Sequence, residues 1–595
     1  MKRFLFACTY IVCLLFTSVA AKDNWIEIRS KNFTLVGDAG EKDIRSVATK
    51  LEQFREALKL LLPKATLERE VPTIVYVFSS NSSFRPFKPR VKDKIQDSVA
   101  GYIMERPEAM YIALTEEELG GLSPYEVIFH EYYHFVLDNN FDAPPPWLNE
   151  GLAEFYSTFK MDKNGKGFQL GAPISRHFNS FNSRSILPLE KLLNTKYGTP
   201  EFSKRNKDNI FYAQSWAFIH FLVLGNEGKR KPQFTKFVNQ LNSGMSLEEN
   251  FRQSFQTDYK NMENEFRAYL GKYLFPVTNY TLQNALQFES SMQSRSASEA
   301  EVEFLLGRLL WNLGEAETAE KYLQKSIKLS PDFAPAQTLL GYMRLRQRKY
   351  DEAERFLTRA IALNSQDYLA YTYNGSLLAQ QNKNEEAIKS FEQAVQLQPN
   401  IPQTHAALAS YYASIGKDKQ AAGSYGQAIR LAPRNPSFFY SSSIVNLRLR
   451  RGFQAALQAQ TWLRLRGWDK ESSPYAAFVS YFGFRQVQRK QEADQLLKLA
   501  AERLDSKIWA YSIVRYLQRE ITADELLKLA GTDKDKLTES HCYIGLDLKF
   551  DGKTSEALPH LQWVKDNGNR NFIEYGFAMA ELEHIENAPA PALPK

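Results

Sequence analysis

Gly341-Tyr342-Met343-Arg344-Leu345-Arg346-Gln347-Arg348-Lys349-Tyr350-Asp351-Glu352-Ala353-Glu354-Arg355-Phe356-Leu357-Thr358-Arg359-Ala360 carries three small residues, Gly341, Ala353 and Ala360, on an otherwise bulky helical pattern. The same three positions return every 34 residues: Gly307, Gly341, Gly375 and Ala409; Ala319, Ala353, Ala387 and Ala421; Ser326, Ala360, Ala394 and Ala428. Pro331, Pro399 and Pro433 punctuate the ends of the units, with Ser365 in the remaining place. Small residues recurring in phase mark places where two helices touch closely, and proline marks the gaps between pairs. The pattern therefore predicts stacked helix pairs, each leaning on its neighbours for a core.

A 34-residue unit of this kind resembles the tetratricopeptide repeat, which implies an all-α solenoid over 298–470. Ala455 continues the phase into a worn fifth unit. Glu492-Ala493, then Gly545 and Ala557, carry the twelve-residue offset through degenerate helical repeats over 471–586. Ala588-Pro589-Ala590-Pro591-Ala592 reads as a disordered tail over 587–595. The concave face of such a solenoid is expected to receive a protein or peptide partner, the alternative being a mere spacer.

Upstream the grammar differs. Ile26-Glu27-Ile28, Phe33-Thr34-Leu35-Val36 and Thr73-Ile74-Val75-Tyr76-Val77-Phe78 read as strands, and Ile44 to Leu62 as an amphipathic helix. Ala100–Met104 and Ala109–Leu114 read as a hairpin turning at Glu105-Arg106-Pro107-Glu108, and mostly helical pattern follows to about Phe275. This is an α+β domain over 22–275, with 276–297 expected as a linker to a separable repeat half.

The chain has 595 residues, 44% hydrophobic and 24% charged, which excludes wholesale disorder and a polytopic membrane protein. Its 75 basic and 68 acidic residues leave a net +7 spread thinly, so no nucleic-acid partner is expected. Lys2-Arg3, the apolar run Phe4–Phe16 and the small residues Thr17–Ala21 predict a cleaved signal peptide over 1–21. The product would be exported, periplasmic or secreted, without a membrane span; the alternative is an uncleaved N-terminal anchor. Cys8 and Cys13 leave with the signal, so Cys542 has no internal disulfide partner.

The chemistry is concentrated in His130-Glu131-Tyr132-Tyr133-His134. Residues four apart share a helix face, so both imidazoles can reach one metal ion while Glu131 stands beside it. Trp147-Leu148-Asn149-Glu150-Gly151-Leu152-Ala153-Glu154 opens a second helix after Pro144–Pro146. A catalytic zinc takes three protein ligands, and Glu150 supplies the third; Glu154, one turn on, is placed to accept the outer N–H of a ligating histidine. The remaining histidines, His177, His220, His405, His541, His560 and His584, are scattered, and like Tyr132 and Tyr133 they read as ordinary surface or core residues.

HEYYH followed fifteen residues later by NEGLAE resembles the gluzincin zinc metallopeptidases, and residues 25–275 resemble bacterial peptidase-MA-like domains that often precede tetratricopeptide repeats. The resemblance implies a thermolysin-like fold and a Zn2+ ion on His130, His134 and Glu150, with Glu131 as the base in peptide hydrolysis and Glu154 behind His130. It also implies a tyrosine donor for the oxyanion, for which Tyr212 is the best match, although its surroundings depart from the aminopeptidase pattern. Ala100-Gly101-Tyr102 is the expected edge strand for an extended peptide or protein substrate. A non-catalytic zinc-binding scaffold for protein–protein interaction is the alternative function.

Overall fold

A computed structural model describes residues 25–587, apart from 69–70, 119–122, 143, 184–185, 198, 200–201, 203–209, 242, 244, 273–274 and 469–470. The expected signal peptide and most of the expected tail lie outside the described residues. Among the described residues no helix is long and apolar enough to cross a membrane, and Cys542 is buried as a free thiol.

Six strands form the central sheet, in the order Gln293–Ser296, Ile26–Arg29, Phe33–Gly37, Thr73–Phe78, Met110–Thr115, Gly101–Glu105. The middle three are parallel, and the outer pairings are antiparallel. Gly101–Glu105 is thus an edge, joined to its neighbour by a hairpin in which Glu105 faces Met110. The central strands are apolar at successive positions because both sheet faces are covered. Ile28, Leu35, Val75, Val77 and Ile112 face one core, shared with Val47, Leu51, Phe54 and Leu58 of helix Glu41–Leu61. The alternate residues Val36, Tyr76, Tyr111 and Ala113 face the other, which is closed by Leu309, Leu310 and Ala319 of the first repeat.

That second cover corrects the expected domain boundary. The segment 276–297 does not merely link: Thr278–Thr281 pairs with Gly167–Leu170, and Gln293–Ser296 adds the sixth strand beside Ile26–Arg29. The first repeat helix, Glu299–Asn312, then lies on the sheet, where Tyr76 donates to the Leu305 carbonyl at 3.1 Å and Arg308 donates to the Tyr76 hydroxyl at 3.2 Å. The sheet-bearing region and the first repeat share one core.

From Glu299 the chain runs as antiparallel helix pairs, and the small-residue columns fall at their contacts. Ala319, Ala353, Ala387 and Ala421 have no exposed surface, nor do Ala455, Ala493 and Ala557 of the worn units. A Cβ on Gly341 would lie 2.6 Å from the Leu357 side chain, and one on Gly545 2.7 Å from that of Leu561, so a larger residue would wedge each pair apart. The turn inside each pair holds one residue at positive φ, at 314, 348, 382, 416 and 450, again 34 apart. Only two of these are glycine.

Candidate metal centre

Ser123 accepts from the Tyr125 amide as the N-cap, and Pro124 starts the helix Pro124–Asn140 that carries HEYYH. Its inner face, Ile128, Phe129, Tyr132 and Val136, is buried against the sheet's core. The helix lies close to the edge strand, since a Cβ on Gly101 would stand 3.1 Å from Ile128 Cδ1. Pro146 opens the helix Pro146–Ser157, which carries Glu150 and Glu154.

Gly151 lets that helix press against Ile210–Leu224: a Cβ there would meet the Ser215 carbonyl oxygen at 2.6 Å and Ile219 Cγ1 at 2.7 Å. Gly151→Ala must push the two helices apart, and is expected to destabilise the protein by about 1–3 kcal/mol. An unchanged urea midpoint would show that the helices are not in such contact.

Three donor atoms converge where the two helices meet. His130 Nε2 and His134 Nε2 are 3.1 Å apart, and each is 3.4 Å from Glu150 Oε2. Donors around a tetrahedral ion with bonds of about 2.0–2.1 Å stand about 3.3 Å from one another, so the three residues have the separations of a zinc shell. Their outer atoms are held as well. His134 Nδ1 lies 2.9 Å from Asn149 Oδ1, while Asn149 Nδ2 donates to the Tyr197 hydroxyl at 2.6 Å. That arrangement makes His134 Nδ1 a protonated nitrogen and turns Nε2 inward. His130 Nδ1 is 3.7 Å from Glu154 Oε1, and Glu154 Oε2 takes Arg176 at 2.5 Å and His177 at 3.3 Å.

Two imidazoles and a carboxylate thus meet at one spot, an arrangement that a shared proton or a cation between them stabilises. The titration behaviour agrees. Burial opposes charge on Glu150, yet His130 and His134 hold its carboxyl down to about 2. Burial also opposes charge on His134, but Glu150, Glu131 and Asn149 bring its imidazolium up to about 9. Glu154, which burial alone would raise, is held well below the usual carboxylate range by His177, His130 and Arg176. His130 and Glu150 are each only 7% exposed, whereas Glu131 and His134 are half-buried.

The sequence-predicted residues thus gather at one place: His130, His134 and Glu150 as a donor set, Glu154 behind His130, and Glu131 near enough for its charge to act on His134. Tyr212 sits in the helix Ile210–Leu224 against Phe202 and Phe211, its phenol pushed up by burial and by the charges of Glu150, Glu154 and Glu131. Ala100 and Gly101 lie where the edge strand begins. Tyr102 turns away from the donors and gives its hydroxyl proton to the Phe87 carbonyl at 2.6 Å. Sequence reasoning missed Arg176 and Tyr197 and read His177 as ordinary; all three reach the cluster from loops or helices remote in sequence, where no spacing signals them. His220, by contrast, is the core histidine expected, bonded to the Gly171 carbonyl and to Tyr269.

Comparison with known proteins bears on the repeats. A family model described as Tetratricopeptide repeat matches residues 304–368, and one described as TPR repeat matches 375–416. No curated protein matches the sequence. Among solved structures, the pilF protein of Pseudomonas aeruginosa is similar at 19% identity, over 38% of this chain and 98% of its own, with a TM-score of 0.32. A thermophilic TPR protein of Thermus thermophilus is similar at 19% identity over 30% of this chain and 98% of its own, with a TM-score of 0.27. The C-terminal region therefore contains tetratricopeptide repeats, over 304–368 and 375–416, which suggests a scaffold for protein–protein interaction.

Proposed function

We propose that this protein is an exported zinc-dependent peptidase of gluzincin type whose repeats engage a protein partner. The observation that carries the reading is the donor triangle of 3.1 and 3.4 Å edges together with the outer partner of each histidine. When bound, zinc supplies Lewis-acid activation of a water and of a substrate carbonyl. Glu131, whose charge acts on His134, takes the water's proton on its carboxylate and passes it to the leaving amine. Asn149 at His134 Nδ1 and Glu154 behind His130 Nδ1 orient the two rings so that their inner nitrogens face the ion. Tyr212, kept protonated by burial, is the donor to the charge that develops on the substrate oxygen. The Gly101–Glu105 strand, at the edge of the sheet, aligns an extended chain by backbone hydrogen bonding.

Elemental analysis tests the site. The parent should carry one zinc per chain, and the His130→Ala/His134→Ala variant should fall below about a tenth of that, because Glu150 alone cannot retain the ion. Stoichiometric zinc in the double variant would overturn the assignment. The second reading, a zinc-binding scaffold without hydrolysis, draws on the tetratricopeptide repeats and is separated by the Glu131 variant discussed below.

A further inference from the structure

Glu154 is a buried carboxylate whose two oxygens are used differently. Oε2 accepts from Arg176 Nη2 at 2.5 Å and lies 3.3 Å from His177 Nε2, whereas Oε1 is the oxygen turned to His130 Nδ1, 3.7 Å away. A carboxylate turns easily about its last side-chain bond, so the two contacts on Oε2 are what fix the direction of Oε1. Both come from the start of one helix, Ser175–Ser183.

Arg176 also reaches the other donor-bearing helix. Its Nη1 stands 3.4 Å from Glu126 Oε2, and Glu126 precedes His130 by four residues, one turn away on the same face. The guanidinium therefore spans both helices, bonded to Glu126 of Pro124–Asn140 and to Glu154 of Pro146–Ser157. A planar fork with donors on each prong suits such a double contact, as an ammonium does not. The arrangement also leaves polar atoms stranded: among the described residues, Arg176 Nε and His177 Nδ1 are buried with no hydrogen-bonding partner. Groups left so cost stability, which marks a place set by something other than folding.

We propose that Arg176 is a positioning residue of the metal centre: it holds Glu154 so that Oε1 meets the His130 N–H, and it ties together the two helices that bring the donors to one ion. This deepens the zinc reading above and rests on it. Arg176 is not itself a donor and acts through its two carboxylates. Of these, the Glu154 side chain is 2% exposed and that of Glu126 41%, so the bond to Glu154 carries most of the effect and the bond to Glu126 is weakened by solvent.

The test measures zinc affinity of the full-length protein by competition with a chelator, well below the melting temperature of each variant. Arg176→Ala should bind zinc about 10- to 100-fold more weakly than the parent, the usual cost of losing a group behind a ligand, while still taking one zinc per chain at saturation. Arg176→Lys, which keeps the charge but not the fork, should lose about threefold or more, and it decides the matter if the alanine variant does not fold. A purely structural role is separated by a cycle with Glu154→Gln: in that background Arg176→Ala should weaken binding by less than about twofold further, because the group it acts through has already been changed. Parent-like affinity in the folded Arg176 variants, or a full additional loss in the Glu154→Gln background, overturns the positioning role and leaves the zinc and peptidase readings intact. A parent that takes up no zinc overturns both. Zinc bound as expected but no peptide cleaved by the parent would sink the peptidase reading alone, since the affinities are read without turnover.

Discussion

Glu131→Gln is expected to bind one zinc per chain, as the parent does, and to lose roughly 100-fold or more of peptide hydrolysis. The amide is nearly isosteric and Glu131 is not among the three donors, so His130, His134 and Glu150 keep their places. What disappears is a carboxylate able to accept a proton from water and return it to the amine, and an amide can do neither at neutral pH. The loss should appear in kcat more than in KM, because the proton moves only as the transition state forms. Measured beside the parent on a proteome-derived peptide library, cleavage by both proteins at equal rates would reject Glu131 as the base. Cleavage by neither, with zinc present in both, would favour the scaffold reading.

Ending the chain at Ala297 is expected to abolish a stable fold, whereas ending it at Ser330, after the first helix pair, should restore it. The sequence reading treats the two halves as separable; the structure makes the first pair a layer of the sheet-bearing region. Without it, Trp25, Tyr76, Tyr111 and their neighbours lose the cover of Leu309, Leu310 and Ala319. At about 1.5–3 kcal/mol for each large side chain fully buried, partial exposure of several costs on the order of 5 kcal/mol, comparable with the net stability of a domain. The exposed face would also be a contiguous apolar patch prone to aggregation. Soluble yield and thermal melting of 25–297 against 25–330 decide the matter. A shorter fragment that melts within a few degrees of the longer one would mean that the sheet does not need the repeat.

The two predictions come from opposite kinds of information. The HEYYH spacing, the NEGLAE segment and the 34-residue columns were legible in the sequence because each records a local regularity. Four residues carry a helix once round to the same face, and a small residue recurs wherever one helix of a pair touches the next. The strands were legible for the same reason, their apolar residues running without interruption where both faces are covered. Left-handed turns at Arg348, Asn382 and Arg450 were not, since tertiary packing rather than residue type imposes them at about 1–2 kcal/mol each.

Contacts between distant segments leave no period to read. Arg176 and His177 reach Glu154 from more than twenty residues away, and Tyr197 holds Asn149 from 48 away. Arg434 and Arg464 find Asp142 across 292 and 322 residues. The strand Gln293–Ser296 looks like linker because its residues are polar, and it is a strand only because Ile26–Arg29 offers it a ladder of hydrogen bonds. The sequence by itself determined which side chains could hold a metal ion and which helices would stack. Only the tertiary structure decided that the first repeat completes the sheet's core and that arginines of later ones reach Asp142, because those outcomes depend on which surfaces meet once the local elements have formed.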